Sequence, residues 1–280
     1  MLNYRFITAC ILVPIVIGII FIIPPIVFKL IILIVCMLSA WEWGQLAGLQ
    51  HSSQRCLLVI FFCLLINIIS LLINKWNILN KYILWSSLVW WITALLLVIS
   101  YPRSAGVWRS YNWLRLVFGG FTIIPFLLEI IHLRDYNYNS DHFIGSWLLL
   151  YLMLIVWSAD SGAYIFGSIL GRHKLSPKIS PGKTWEGLIS GILISEIIMF
   201  IFSKYAKLPS NYTQLKLIIY STVVALVSVL GDLTESMFKR EAGIKDSGYI
   251  IPGHGGILDR IDSFTSAVPV FVFLIDTTGL

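Results

Sequence analysis

The stretch "FIGSWLLLYLMLIVWSADSGAYIFGSI", residues 143–169, is apolar over most of its length, yet its second half carries Ser158, Asp160 and Ser161. A helix crosses about 30 Å of hydrocarbon in roughly 17 to 25 residues, so this run is long enough to span. It lacks the strict polar and apolar alternation of a barrel strand, and in lipid only a helix or a closed barrel satisfies its own backbone. Comparable unbroken runs recur along the chain. The expected spans are Phe6–Ile23, Val27–Trp43, Cys56–Ile73, Tyr82–Ser100, Leu116–His132, Phe143–Ile169, Leu188–Ser203, Leu215–Leu230 and Phe264–Asp276. Composition agrees: of 280 residues, 58% are hydrophobic and 12% charged, where soluble domains carry about 25% charged residues. The expectation is an all-α, polytopic integral membrane protein of about nine transmembrane helices.

The first run follows Arg5 and resembles a signal peptide in position. It lacks a convincing small-residue cleavage site and leads through Pro24-Pro25 into a second span, so a retained helix is expected. The formal net charge of +6 suits an anionic partner. With no soluble domain to present a basic face, nucleic acid is not the expected one. Most Lys and Arg fall on the N-terminal side of this topology, in clusters at 103–115, 172–183 and 239–260. The positive-inside rule therefore predicts a cytoplasmic N-terminus, with the richest loops beside it. The four cysteines, Cys10, Cys36, Cys56 and Cys63, lie in or beside apolar runs without CxxC spacing, as small apolar fillers do.

The two halves differ. Residues 1–140 read as scaffold: plain hydrophobic helices with short connectors. Residues 141–280 read as the working region, because polar groups intrude there at membrane depth. Asp160 would cost about 2.5 to 3.5 kcal/mol at the bilayer centre, so it should face protein or a polar cavity. Its small neighbours Gly162, Ala163, Gly167 and Gly171 suit close helix approach. Next comes "KLSPKISPGKTWEG", residues 174–187, read as a basic loop. Its Gly-Lys-Thr invites a phosphate-loop reading, but Pro177 stands where that motif needs glycine and no strand is expected ahead of it. What survives is the chemistry: Lys178, Lys183 and the backbone amides entering the next helix suit an anion.

The densest polar segment is "GDLTESMFKREAGIKDSGYIIPGHGGILDRIDS", residues 231–263. If helix continues past Gly231, then Asp232, Glu235, Ser236 and Lys239 share one face. Asp259 and Asp262 share another, just before the last span. Two acidic pairs flanking Lys239, Arg240, Lys245, His254 and Arg260 match what a multiply charged phosphate bound with a hard divalent cation requires. Carboxylates hold Mg²⁺, and cations neutralise phosphate oxygens. Gly253, Gly255 and Gly256 allow a tight bend close to a ligand. Residue chemistry alone thus reaches a membrane enzyme acting on a phosphate in a charged, cytoplasmic-side cleft of the C-terminal half.

Ser236, Lys239-Arg240, Lys245-Asp246, Gly248, Pro252, His254-Gly255-Gly256, Asp259-Arg260 and Asp262 together resemble the signature of the phosphatidate cytidylyltransferase (CDP-diacylglycerol synthase) family, here spanning 236–262. The segments "SADSGAY" and "SPGKTWEG" are similar to family segments in the expected order, so the resemblance covers roughly residues 145–270. It implies that CTP and phosphatidate give CDP-diacylglycerol and pyrophosphate in phospholipid biosynthesis, in the bacterial-type cytoplasmic membrane, by a homodimer. It further implies Asp232 and Asp259 as leading Mg²⁺ ligands, with Asp262 and Asp160 beside them and a second cation as an option. Lys239, Arg240, Lys245 and Arg260 are implied on phosphates, and Ser236, His254, Lys183, Gly255 and Gly256 along the substrate pocket. Phosphatidate is already an oxyanion near neutral pH, so charge neutralisation outweighs general-base catalysis. Two other classes fit parts of the pattern. A polyprenol- or phytol-type lipid kinase would transfer the γ-phosphoryl group instead, and a transporter would use Asp160 in an ion path but lacks paired broken-helix repeats.

Overall fold

The computed structural model describes residues 13–76, 78–206, 212–250 and 255–277. Helix runs through 13–21 (α1), stops at Pro24, and restarts as α2 (Pro25–Leu46) with proline in its first turn, where a missing N–H costs nothing. There follow α3 (Ser52–Lys75), α4 (Ile78–Ile99), the single turn α5 (Ala105–Trp108), α6 (Asn112–Arg134) and α7 (Ile144–Leu170). A hairpin of β1 (Lys174–Ser176) and β2 (Ser180–Thr184) leads into α8 (Trp185–Tyr205), α9 (Gln214–Ala242) and α10 (Leu258–Thr277). Seven helices among the described residues, α2, α3, α4, α6, α7, α8 and α9, are long and apolar enough to cross a membrane. The chain is an all-α polytopic membrane protein. The expected first span lies largely outside the described residues.

Helix α10 differs from the other long helices. Asp259, Arg260, Asp262 and Asp276 lower its hydropathy, yet Ser263 to Val272 are all buried. It packs against α9, α6, α4, α7 and α2, forming the centre of the bundle. Burial in protein, not lipid contact, therefore sets its composition.

Small residues determine how closely the working helices meet. A methyl group at Gly191 of α8 would sit 2.5 Å from the carbonyl oxygen of Ala159 on α7, so these backbones are in direct contact. Gly231 of α9 likewise faces the backbone carbonyl of Asp262 on α10. That approach places Asp232 beside Asp262. Helix α9 runs to Ala242, well past the expected end at Leu230, and closes where Gly243 takes φ 70° and donates to the Arg240 carbonyl at 3.2 Å.

The loops gather at two ends. At one end Tyr101 donates to Glu241 at 2.9 Å; at the other Lys29 pairs with Asp135 at 2.7 Å. The aromatic side chains of Trp43, Trp108 and Phe118 surround Phe238, fastening α2, α5 and α6 to the stretch of α9 that carries Lys239.

Candidate active site

Between α7, α9, α10 and the hairpin lies a cavity of about 630 Å³ whose charged lining is Asp160, Lys183, Asp232, Asp259, Arg260 and Asp262. These residues come from four separate elements.

The hairpin is a correction to the sequence reading, which expected an irregular loop without strands. Lys174 pairs with Thr184 and Ser176 with Ser180 across an antiparallel ladder. This arrangement is still not a phosphate loop. Lys183 lies in β2 itself, and Thr184 caps α8 by accepting from Gly187 N at 3.1 Å, so no glycine-rich loop wraps an anion. The extended strand instead carries Lys183 to Asp232, where Nζ approaches Oδ2 at 2.6 Å.

On α9 the expected face exists. Ser236 donates to Asp232 Oδ1 at 3.1 Å, and Lys239, one turn further, donates to Glu235 and at 2.7 Å to Asp259 Oδ1. Lys239 thus sits behind the cavity wall, bridging α9 to α10. Asp259 is saturated: its Oδ2 accepts from Ser247 N at 2.9 Å and Gly256 N at 2.8 Å. Burial works against its charge. The Lys239 ammonium and the two N–H donors offset that cost. Its side chain is 6% exposed against 29% for Asp232, so Asp232 is the more accessible of the two leading carboxylates. Asp262 accepts from Ser263 N at 2.8 Å, and Asp160 faces the cavity with Ser263 Oγ at 3.5 Å.

Other expected residues stand elsewhere. Arg240 turns to the hairpin and donates through Nε to the Ile179 carbonyl at 3.0 Å, locking β1–β2 onto α9. Lys245 is exposed in the turn after α9 and does not line the cavity. Gly255, at φ 80°, makes the bend expected of it, while Gly256 packs on Glu42 and Ser247 rather than on the cavity. His254 lies outside the described residues. Among the described residues no three His, Cys, Asp or Glu side chains form a ready metal cage.

A second cavity, of about 740 Å³, opens between α1, α2, α6, α7 and α10. Its walls are apolar, with Ile32, Phe126, Met153 and Trp157 among them, but one end is polar. Five residues, Asp160, Asp259, Arg260, Asp262 and Ser263, line both cavities. A greasy chamber and a charged chamber therefore meet at the first turns of α10.

Sequence reasoning missed Glu42 of α2, which is 2% exposed and bonds the segment leading into α10. A carboxylate inside the apolar stretch around Trp41 and Trp43 was the available signal.

The cytidylyltransferase family model matches residues 3–278. A phosphatidate cytidylyltransferase of Haemophilus influenzae is 43% identical over 284 aligned positions, covering 98% of each chain. One of Pseudomonas aeruginosa is 38% identical over 279 positions, covering 100% of this chain and 98% of its own. One of Bacillus subtilis is 47% identical over 137 positions, about half of each chain. The family match over almost the whole chain and the near full-length similarity show that this chain belongs to the cytidylyltransferase family.

Proposed function

We propose that the chain transfers the cytidylyl group of CTP to phosphatidate, giving CDP-diacylglycerol and pyrophosphate. The observation that carries this reading is the junction of the two cavities, which lets a lipid with a phosphate head and a water-soluble nucleotide meet at one set of charged residues. The acyl chains occupy the apolar chamber, and the nucleotide's phosphates enter the charged one. A phosphatidate oxygen attacks the α-phosphorus of CTP, a new P–O bond forms, and the bond to the β-phosphate breaks, with pyrophosphate taking its electron pair. Lys183 and Arg260 face the space where the phosphates gather, so they neutralise charge on entering and leaving groups. Lys239 acts through Asp259, holding α9 and α10 in register.

The donor set fits Mg²⁺. The side-chain ligands the cavity offers a cation are hard oxygens, carboxylates and hydroxyls, and Mg²⁺ usually takes one or two carboxylates, completing its shell with water and substrate phosphate. Asp232 would hold it, with Asp259, Asp262 and Asp160 as the neighbouring carboxylates. Bound there, it would supply neutralisation of the developing pyrophosphate charge. Nine crossings, as the sequence reading expects, would add the first apolar run and α10 to the seven apolar helices. The pairing of Tyr101 with Glu241 at one end and Lys29 with Asp135 at the other supports alternating passage. The positive-inside pattern favours a cytoplasmic N-terminus and cavity mouth, in a bacterial inner membrane. A homodimer, as the resemblance implies, is part of the same proposal.

The deciding experiment supplies purified protein in detergent with phosphatidate and CTP labelled at either the α- or the γ-phosphorus, with and without Mg²⁺. The proposal expects α-label in lipid and γ-label in pyrophosphate, only with the metal. Lipid labelled from the γ-position would instead establish a lipid kinase.

A further inference from the structure

Glu42 lies in the half of the chain that composition marks as scaffold, yet its carboxylate serves the other half. Oε1 accepts from Ile257 N at 3.0 Å; Oε2 accepts from Leu258 N at 2.8 Å and from Ser247 Oγ at 2.9 Å. Gly248 and Gly256 pack so tightly on this carboxylate that a side chain at either would overlap it. Leu258 begins α10, so a carboxylate from α2 satisfies two N–H groups where the helix starts and would otherwise leave donors unpaired. Asp259 grips the same segment from its other side, through Ser247 N and Gly256 N. Ser247 is therefore held twice, by its hydroxyl to Glu42 and by its amide to Asp259.

Asp259, Arg260 and Asp262 follow within the first two turns of α10. Their position against Asp232 of α9 depends on where that helix begins. We infer that Glu42 is a positioning residue for cytidylyl transfer: it fixes Ser247 and the start of α10, and so sets the register of the charged residues shared by the two cavities. Glu42 lines neither cavity. It acts through the segment it holds.

The inference rests on the cytidylyl-transfer reading for its kinetic readout but not for its structural one. In Glu42→Gln an amide replaces one acceptor oxygen with a donor that faces other donors. Hydrogen exchange of wild type and variant in lipid nanodiscs should show the Ile257 and Leu258 amides exchanging about tenfold faster or more in the variant, with α3 unchanged. The kcat should fall about tenfold or more while both KM values stay within about threefold, because the lost register is felt in the transition state. Glu42→Asp, which keeps two acceptor oxygens, should recover part of that loss. Ser247→Ala should lower kcat by a smaller factor, and should add nothing in the Glu42→Gln background, since both act through one contact. Wild-type exchange at 257–258 in Glu42→Gln, an unchanged kcat, or full additivity with Ser247→Ala would overturn the inference. Should Glu42→Gln not fold, Ser247→Ala decides alone: unchanged exchange and unchanged kcat would overturn it. Absence of turnover in the wild type would defeat the functional reading while leaving the exchange test intact.

Discussion

Helices α3 and α9 are both long and apolar enough to span, but they use their length differently. Only 17% of the apolar window of α3 is buried, against 56% for α9. Leu57, Phe61, Leu64, Ile68 and Leu71 of α3 point outward, as residues in contact with lipid tails should. Helix α9 instead carries a polar face on which Asp232 reaches Lys183 of the hairpin, Lys239 reaches Asp259 of α10, and Ser236 and Glu235 pair with Asp232 and Lys239 along the helix itself. Hydrophobicity alone identifies a crossing; polar groups placed within one identify which crossing builds a cavity.

That contrast is open to direct attack. The largest effect is expected from Asp232→Asn, which keeps shape and removes the charge facing Lys183. Turnover should drop by about a thousandfold, with membrane insertion and thermal midpoint near wild type; labelled-lipid production at matched protein levels checks it. Gly191→Leu comes next. It would force α8 away from Ala159, beside Asp160, and overpacking of this kind costs about 1 to 3 kcal/mol, so a midpoint lower by several degrees should accompany reduced turnover. Met153→Trp narrows the apolar chamber alone. It should raise the phosphatidate KM by about tenfold and leave the CTP KM within about twofold. Leu64→Ala on the outer face of α3 should change stability by no more than about 0.5 kcal/mol and turnover by less than twofold, as measured by thermal scan and assay.

Much of this architecture was readable from residue types. Every crossing expected within the described residues corresponds to a helix, because a long apolar run has few other ways to satisfy its backbone in lipid. The ends were less readable. Helix α9 extends to Ala242 because Asp232 and its neighbours meet protein groups, so nothing forces the helix to stop where hydropathy falls. Helix α10 begins at Leu258, ahead of the expected Phe264, for the same reason. The hairpin escaped notice because its Pro- and Ser-rich strands carry no alternation to read, and Arg240 fixes it from a distant helix. The pairing of Lys183 with Asp232 and of Lys239 with Asp259 followed from no spacing rule. Least readable was Glu42, whose Ser247 partner is 205 positions away. Its isolation in an apolar run marked it as unusual without saying what it held.

In the proposed reaction, lipid and nucleotide enter separate chambers and meet at the first turns of α10. The most direct measurement is photocrosslinking with phosphatidate carrying a diazirine at mid-chain, followed by mapping of the labelled peptides by mass spectrometry. Label is expected on the walls of the apolar chamber, at residues such as Ile32, Phe126, Met153 and Trp157, displaced by unmodified phosphatidate. Label confined to the outward faces of α3 and α8, and not displaced by phosphatidate, would contradict it.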